Sequence, residues 1–152
     1  MFLAFLISAV VLLLAIVGIA ALQTIVLIAT MYLVHTYGSD KLGELDLPDF
    51  SFDDVTPPSL LRFSQRIFLL VVVPTFLFFL VVTLLRTYGL INPRSEMVPM
   101  IFILLYGGLL WGVLSKLIQI EPRKSALLAG VATLLFILEY FVLIPTSLFK
   151  FW

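Results

Sequence analysis

From Phe2 to Tyr37 the chain carries no Asp, Glu, Lys, Arg or Pro, and almost every residue is apolar. A run this long exceeds the ~20 residues needed to cross a bilayer core of ~30 Å. In lipid each backbone N–H and C=O must find its partner within the segment, so the run reads as a helix. Continuous apolarity, without polar alternation, argues against membrane strands. The rest of the chain repeats the pattern. The protein is 62% hydrophobic and 12% charged, with a mean hydropathy of +1.22. Soluble domains are nearer to about half apolar and a quarter charged. The expected fold class is an all-α integral membrane protein: four transmembrane helices in a small bundle, with a long first helix and a kinked second helix.

The first segment, 1–37, lacks the basic start of a signal peptide and far outruns its short apolar core, so a retained helix is expected. As one helix it would reach roughly 54 Å. It must therefore tilt, project from one face, or break, with Gly18 the natural breaking point. Residues 38–59 form the polar loop, where Asp40, Glu44, Asp46, Asp49, Asp53 and Asp54 oppose only Lys41. Gly38 is placed to end the first helix in the left-handed region. Phe50, Phe52 and Val55 alternate with the acids, which fits an irregular loop with buried anchors better than a docking strand. The remainder, 60–152, is a three-helix region with spans at about 60–88, 97–118 and 123–149. Ser59 is expected to cap the second span, which Pro74 should kink by removing a ladder bond. Gly89 should end it. Asn92–Pro93 opens the third span, and Pro145 ends or bends the fourth.

Net charge is zero, so nothing points to a nucleic acid partner. The absence of cysteine removes disulfides, thiolate metal sites and S-palmitoylation. Lys41, Arg62, Arg66, Lys116, Arg123 and Lys124 flank one side of the spans, and Arg86, Arg94 and Lys150 the other. That bias puts the acidic loop inside and both termini on the non-cytoplasmic side. Arg62, Arg66, Arg86, Lys150 and Trp152 are the expected interface anchors.

Glu139 is the one carboxylate forced into the middle of a span. Such a group costs at least ~2.5 kcal/mol on insertion scales and is a functional candidate by default. Protonation or a hydrogen-bonding partner would lower that cost. With each span centred at mid-bilayer, Gln23, Thr24, Thr75 and Tyr106 lie at the same depth. Gln23 is the most capable partner, because its amide both donates to a carboxyl and accepts from its proton. A Glu139–Gln23 bond between the first and last helices is the bland reading, and a transport or proton-relay role is the sharper one.

Around the last helix, Ala126, Gly130 and Thr133 fall within about 60° of one another, with Glu139 about 180° from Gly130. Small residues let membrane helices approach closely. Two faces that both favour protein argue for a second chain, other subunits or self-association. In the third helix Gly108-x-x-x-Gly112 is expected to serve internal packing, while Tyr106 and Trp111 could line a lipid groove. His35 stands near the acidic loop without any recognised metal-ligand spacing. No phosphate loop, nucleophile elbow or catalytic pair of acids occurs. Arg86, Arg94 and Glu96 are the nearest polar set an enzyme could use.

These features predict a non-catalytic accessory subunit of a larger membrane complex, with no cofactor beyond bound lipid. The alternative is a small oligomeric transporter or channel with protonatable Glu139 on its pathway. A channel needs polar residues stacked toward both interfaces, and Gln23, Thr30, Thr75 and Thr83 are sparse.

Overall fold

The computed structural model of the chain describes residues 1–42, 45, 47–90 and 97–143. They form α1 (Phe2–Tyr37), a single-turn α2 (Ser39–Leu42), α3 (Pro57–Thr87), α4 (Met97–Lys116) and α5 (Pro122–Leu143). No strand occurs among the described residues. The protein is all-helical, and α1, α3 and α5 are long and apolar enough to cross a membrane. In α4 the apolar stretch Met100–Lys116 is shorter. The expectations for Glu44, Asp46, Asn92, Pro93, Pro145 and Phe149 lie outside the described residues.

Local chemistry sets the helix ends, in two places differently from expectation. Thr56, not Ser59, caps α3. The Thr56 backbone N–H donates to Ser59 Oγ at 3.1 Å, and the Ser59 N–H donates to Thr56 Oγ1 at 3.4 Å. This is a reciprocal capping box with Ser in place of Glu. Pro57 and Pro58 then occupy the first helical positions, where a missing N–H costs nothing. At the other end Gly89 takes φ +66°, and the Leu90 N–H returns to the Leu85 carbonyl at 2.9 Å. Only glycine adopts that left-handed turn without strain. Gly38 does not use that freedom: it sits at φ −97°, ψ −5°. The chain bends there and runs directly into α2, so no left-handed reversal is needed. The α4–α5 turn passes instead through Gln119 at φ 61°.

The helices form a ring, α1 beside α3 and α5, and α4 beside α3 and α5. The acidic loop and the 117–121 turn share one end, since Arg66 Nη2 donates to the Leu117 carbonyl at 3.1 Å. The core between the helices is built from Leu27, Met31, Ile67, Val71, Ile103, Leu110, Leu114, Leu128 and Phe136, all nearly inaccessible. Phe78 crosses it, meeting Phe136 at 4.9 Å and Tyr140 at 6.2 Å between ring centres. No residue of α1 before Ile16 is fully buried. Gly18 does not break the helix, which runs unbroken through it. Measured from Gln23 and Thr75, α1 extends roughly 14 Å further than α3 toward the end opposite the loop.

The described loop residues are anchored by rings. Phe50 is buried and stacks on Phe63 at 4.3 Å with a 6° interplanar angle. Phe52 meets Tyr32 and Phe63 edge-on. Leu45 and Leu47 are buried in the apolar core, while Asp49, Asp53 and Asp54 are exposed. The segment is irregular, held by a few apolar side chains.

Candidate functional site

Hydroxyls within an apolar helix can satisfy themselves on the preceding turn. Thr24 donates to the Ala20 carbonyl, Thr30 to Val26, Thr75 to Val71 and Thr133 to Ala129, all at 2.7–2.8 Å. Amide, carboxyl and phenol groups have no such local solution and must look across the bundle. Among the described residues those buried in the ring are Gln23, Glu139, Tyr106 and Tyr140, and the first three converge.

The structure brings these three to one level. Gln23 Nε2 of α1 donates to Glu139 Oε2 of α5 at 3.0 Å, with both side chains buried. Tyr106 of α4 and Thr75 of α3 are buried as well. The Tyr106 hydroxyl lies beside Thr75 and within electrostatic reach of Glu139, without a hydrogen bond of good geometry. Each long helix thus contributes at least one polar residue to a single layer, with Thr24 beside Gln23 on α1. The Tyr106 ring packs on Phe136 at 4.6 Å. Three polar atoms in the layer, Gln23 Oε1, Glu139 Oε1 and Tyr106 Oη, are buried without a hydrogen-bond partner. The layer stands roughly 21 Å from the loop end of α1 and roughly 26 Å from the start of α5.

The small residues divide differently from expectation. Gly107, rather than Gly108 or Gly112, makes the close approach inside the bundle: a Cβ there would collide with the Thr133 hydroxyl and meet Thr133 Cγ2 at 3.3 Å. Gly108 and Gly112 point away from the core, with nothing within 4 Å of an added Cβ. The cause is the helical 100° step, which turns adjacent glycines onto different faces. On α5, Thr133 is half-buried against α4, whereas Ala126 and Gly130 are exposed.

Arg66, an expected anchor, is tied within the chain. Its Nη1 pairs with Asp49 Oδ2 at 2.8 Å while Nη2 holds Leu117. Arg62 is exposed. The Arg86 side chain, Arg94, Lys150 and Trp152 lie outside the described residues. His35 Nε2 meets Asp53 Oδ1 at 3.1 Å, which joins α1 to the loop. Trp111 does not share a groove with Tyr106. Its indole N–H donates to the Pro122 carbonyl at 3.0 Å, bridging α4 to the first turn of α5. Tyr106 instead borders an open apolar groove of about 150 Å³ between α3 and α4, flanked by Pro74, Phe78 and Phe102. Lys124, buried and paired with Glu121 at 3.3 Å, gave no signal in a sequence where Lys at a span end reads as solvated. Among the described residues no three His, Asp or Glu side chains gather in a metal-holding group.

No protein family, no curated protein and no solved structure matches the chain.

Proposed function

We propose that the protein is a non-catalytic accessory subunit of a larger membrane complex, a bundle that offers outward small-residue faces to neighbouring membrane helices. One observation carries the reading. Gly108 on α4 and Ala126 and Gly130 on α5 lie on the exposed side of the ring, while the buried acid faces inward onto Gln23. Small outward residues favour close helix approach in lipid. The uncharged start of α1, which outreaches α3, adds a further apolar surface for a partner.

In this reading α4 is the fourth span, since 20 residues reach roughly 30 Å. Pro74 bends α3 by freeing the Leu70 carbonyl. The loop end, with its excess of Lys and Arg, faces the cytoplasm and both termini lie on the other side. The groove beside Tyr106 holds an acyl chain of the surrounding lipid.

Transport through Glu139 is the competing reading. Apolar side chains bracket the layer, with Leu27, Val71 and Leu110 toward the loop end and Ile19, Val82 and Ile103 toward the other, all buried. That arrangement favours a structural role, because a pathway needs polar groups leading outward. The test is extraction of the tagged native protein in mild detergent, with sizing and mass spectrometry. Stoichiometric recovery with other membrane polypeptides supports the subunit reading. A lone 17.1 kDa chain or a pure homo-oligomer refutes it.

A further inference from the structure

Two oxygens of the polar layer receive no donor, and the Tyr106 hydroxyl beside them bonds to neither. If Glu139 is ionised, its Oε1 and Gln23 Oε1 are both buried acceptors without a donor. A buried charge needs a partner charge or several hydrogen bonds. Among the described residues the only buried cation is Lys124, 15 positions earlier on α5 and roughly 22 Å away along the helix. It is engaged by Glu121. The polar groups at or next to Glu139's level are Gln23 and Thr24 from α1, Thr75 from α3, Tyr106 from α4 and the neighbouring Tyr140 on α5, none of them cationic. The Thr75 proton is already committed to Val71.

A single proton resolves the imbalance. Placed on Glu139 Oε1, it removes the buried charge and supplies the donor that Gln23 Oε1 lacks. The Gln23 amide already donates to the other carboxyl oxygen. A carboxamide and a neutral carboxylic acid can then close a two-bond ring, each group donating once and accepting once. We infer that Glu139 and Gln23 form a mid-membrane proton-binding site, occupied at neutral pH, in which the bound proton completes a reciprocal acid–amide pair fastening α5 to α1. The site is independent of the subunit reading, since either a scaffold or a carrier could hold it.

Infrared spectroscopy of the full chain in lipid tests this, because the carbonyl stretch of a protonated carboxyl stands apart from ionised carboxylates and amides. Labelling the glutamate carboxyls with carbon-13 restricts the signal to four residues, Glu44, Glu96, Glu121 and Glu139. The expected result at pH 7 is one protonated band sensitive to the label, lost in Glu139→Gln and shifted in Gln23→Leu. Glu139→Gln keeps a reciprocal amide–amide pair and should fold. If it does not, the labelled wild-type band and its shift in Gln23→Leu still decide. A wild-type spectrum with only ionised carboxylates at pH 7 overturns the inference, as does a protonated band that Gln23→Leu leaves in place.

Discussion

Gln23 and Glu139 stand 116 positions apart in the chain and meet through one 3.0 Å hydrogen bond. That bond has a topological role. The segments 38–56, 88–96 and 117–121 join α1 to α3, α3 to α4 and α4 to α5, and none of the described residues joins α5 back to α1. The ring of helices is closed there by contact alone. In lipid a helix interface gains little from the hydrophobic effect, so a buried polar bond at this seam selects one closure over others of similar packing.

Gln23→Leu should therefore weaken the bundle by about 0.6–2 kcal/mol, the range for interhelical polar contacts in membranes. Truncating one partner leaves the other buried and unpaired, whereas replacing both is nearly neutral. The double variant Gln23→Leu/Glu139→Leu should recover most of the loss. Unfolding in mixed micelles with increasing denaturing detergent measures both. A double variant weaker than either single one would contradict this account of the seam.

Gly107 and Thr133 define the α4–α5 contact. The Thr133 hydroxyl cannot swing aside freely, because it donates to the Ala129 carbonyl at 2.7 Å. Gly107→Ala should cost about 1–3 kcal/mol, as overpacking does. Thr133→Ala in the same chain should restore most of it. Gly108→Ala, in open space, should be neutral or gain up to about 1 kcal/mol from helix propensity. The same unfolding assay ranks the three.

These two seams differ in how much the sequence reveals. Gln23 and Glu139 can be paired from depth and amide chemistry together: lipid confines unsatisfied polar groups to partners at their own level, and of the four there Gln23, whose amide can both donate and accept, is the most capable. Gly107 cannot be told from Gly108 in the same way. Soluble helices mark their inner face by apolar periodicity, but α4 is apolar all round, so its sequence does not encode which side faces the bundle. Thr56 was hidden for a different reason. The proline pair reads as a break before the helix, yet both prolines are accepted inside its first turn. The clasp of Arg66 on Asp49 and Leu117 depends on tertiary placement that no local pattern carries.

The acidic loop should be held by its rings more than by its charges. Arg66 and Asp49 are both substantially exposed, so their pair contributes about 0–1 kcal/mol. Phe50 is buried and stacked on Phe63, and Phe50→Ala should cost about 3 kcal/mol. Limited proteolysis separates the two. Cleavage within 47–56 should quicken strongly in Phe50→Ala and only slightly in Arg66→Ala. Equal effects would show that the ion pair carries the loop.

At the start of α3, Thr56→Ala removes the side-chain acceptor for the Ser59 N–H and should cost about 1 kcal/mol. Thr56→Ser keeps the oxygen and should be nearly silent. Hydrogen exchange at Ser59 and Leu60 reports the local effect: their amides should exchange faster in Thr56→Ala while amides near Val71 stay unchanged. Uniformly faster exchange along α3 would mean that the cap supports the whole helix.

The outward faces of α4 and α5 bear on the subunit reading most directly. Gly108 and Gly130 have open space around them, so Gly108→Ile and Gly130→Ile should leave the isolated bundle folded, neutral or gaining up to the ~1 kcal/mol by which glycine trails other residues in helix propensity. A partner helix seated on either face would be displaced by the added side chain. Losing about 1.4 kcal/mol of close packing corresponds to roughly tenfold weaker association. Quantitative mass spectrometry of co-purified polypeptides should show that fall for the glycine on the docking face. The control is Leu104→Ile, a volume-conserving change at an exposed position, which should retain the partner. If both glycine variants co-purify partners at wild-type levels, these faces meet lipid and the accessory-subunit reading loses its main support.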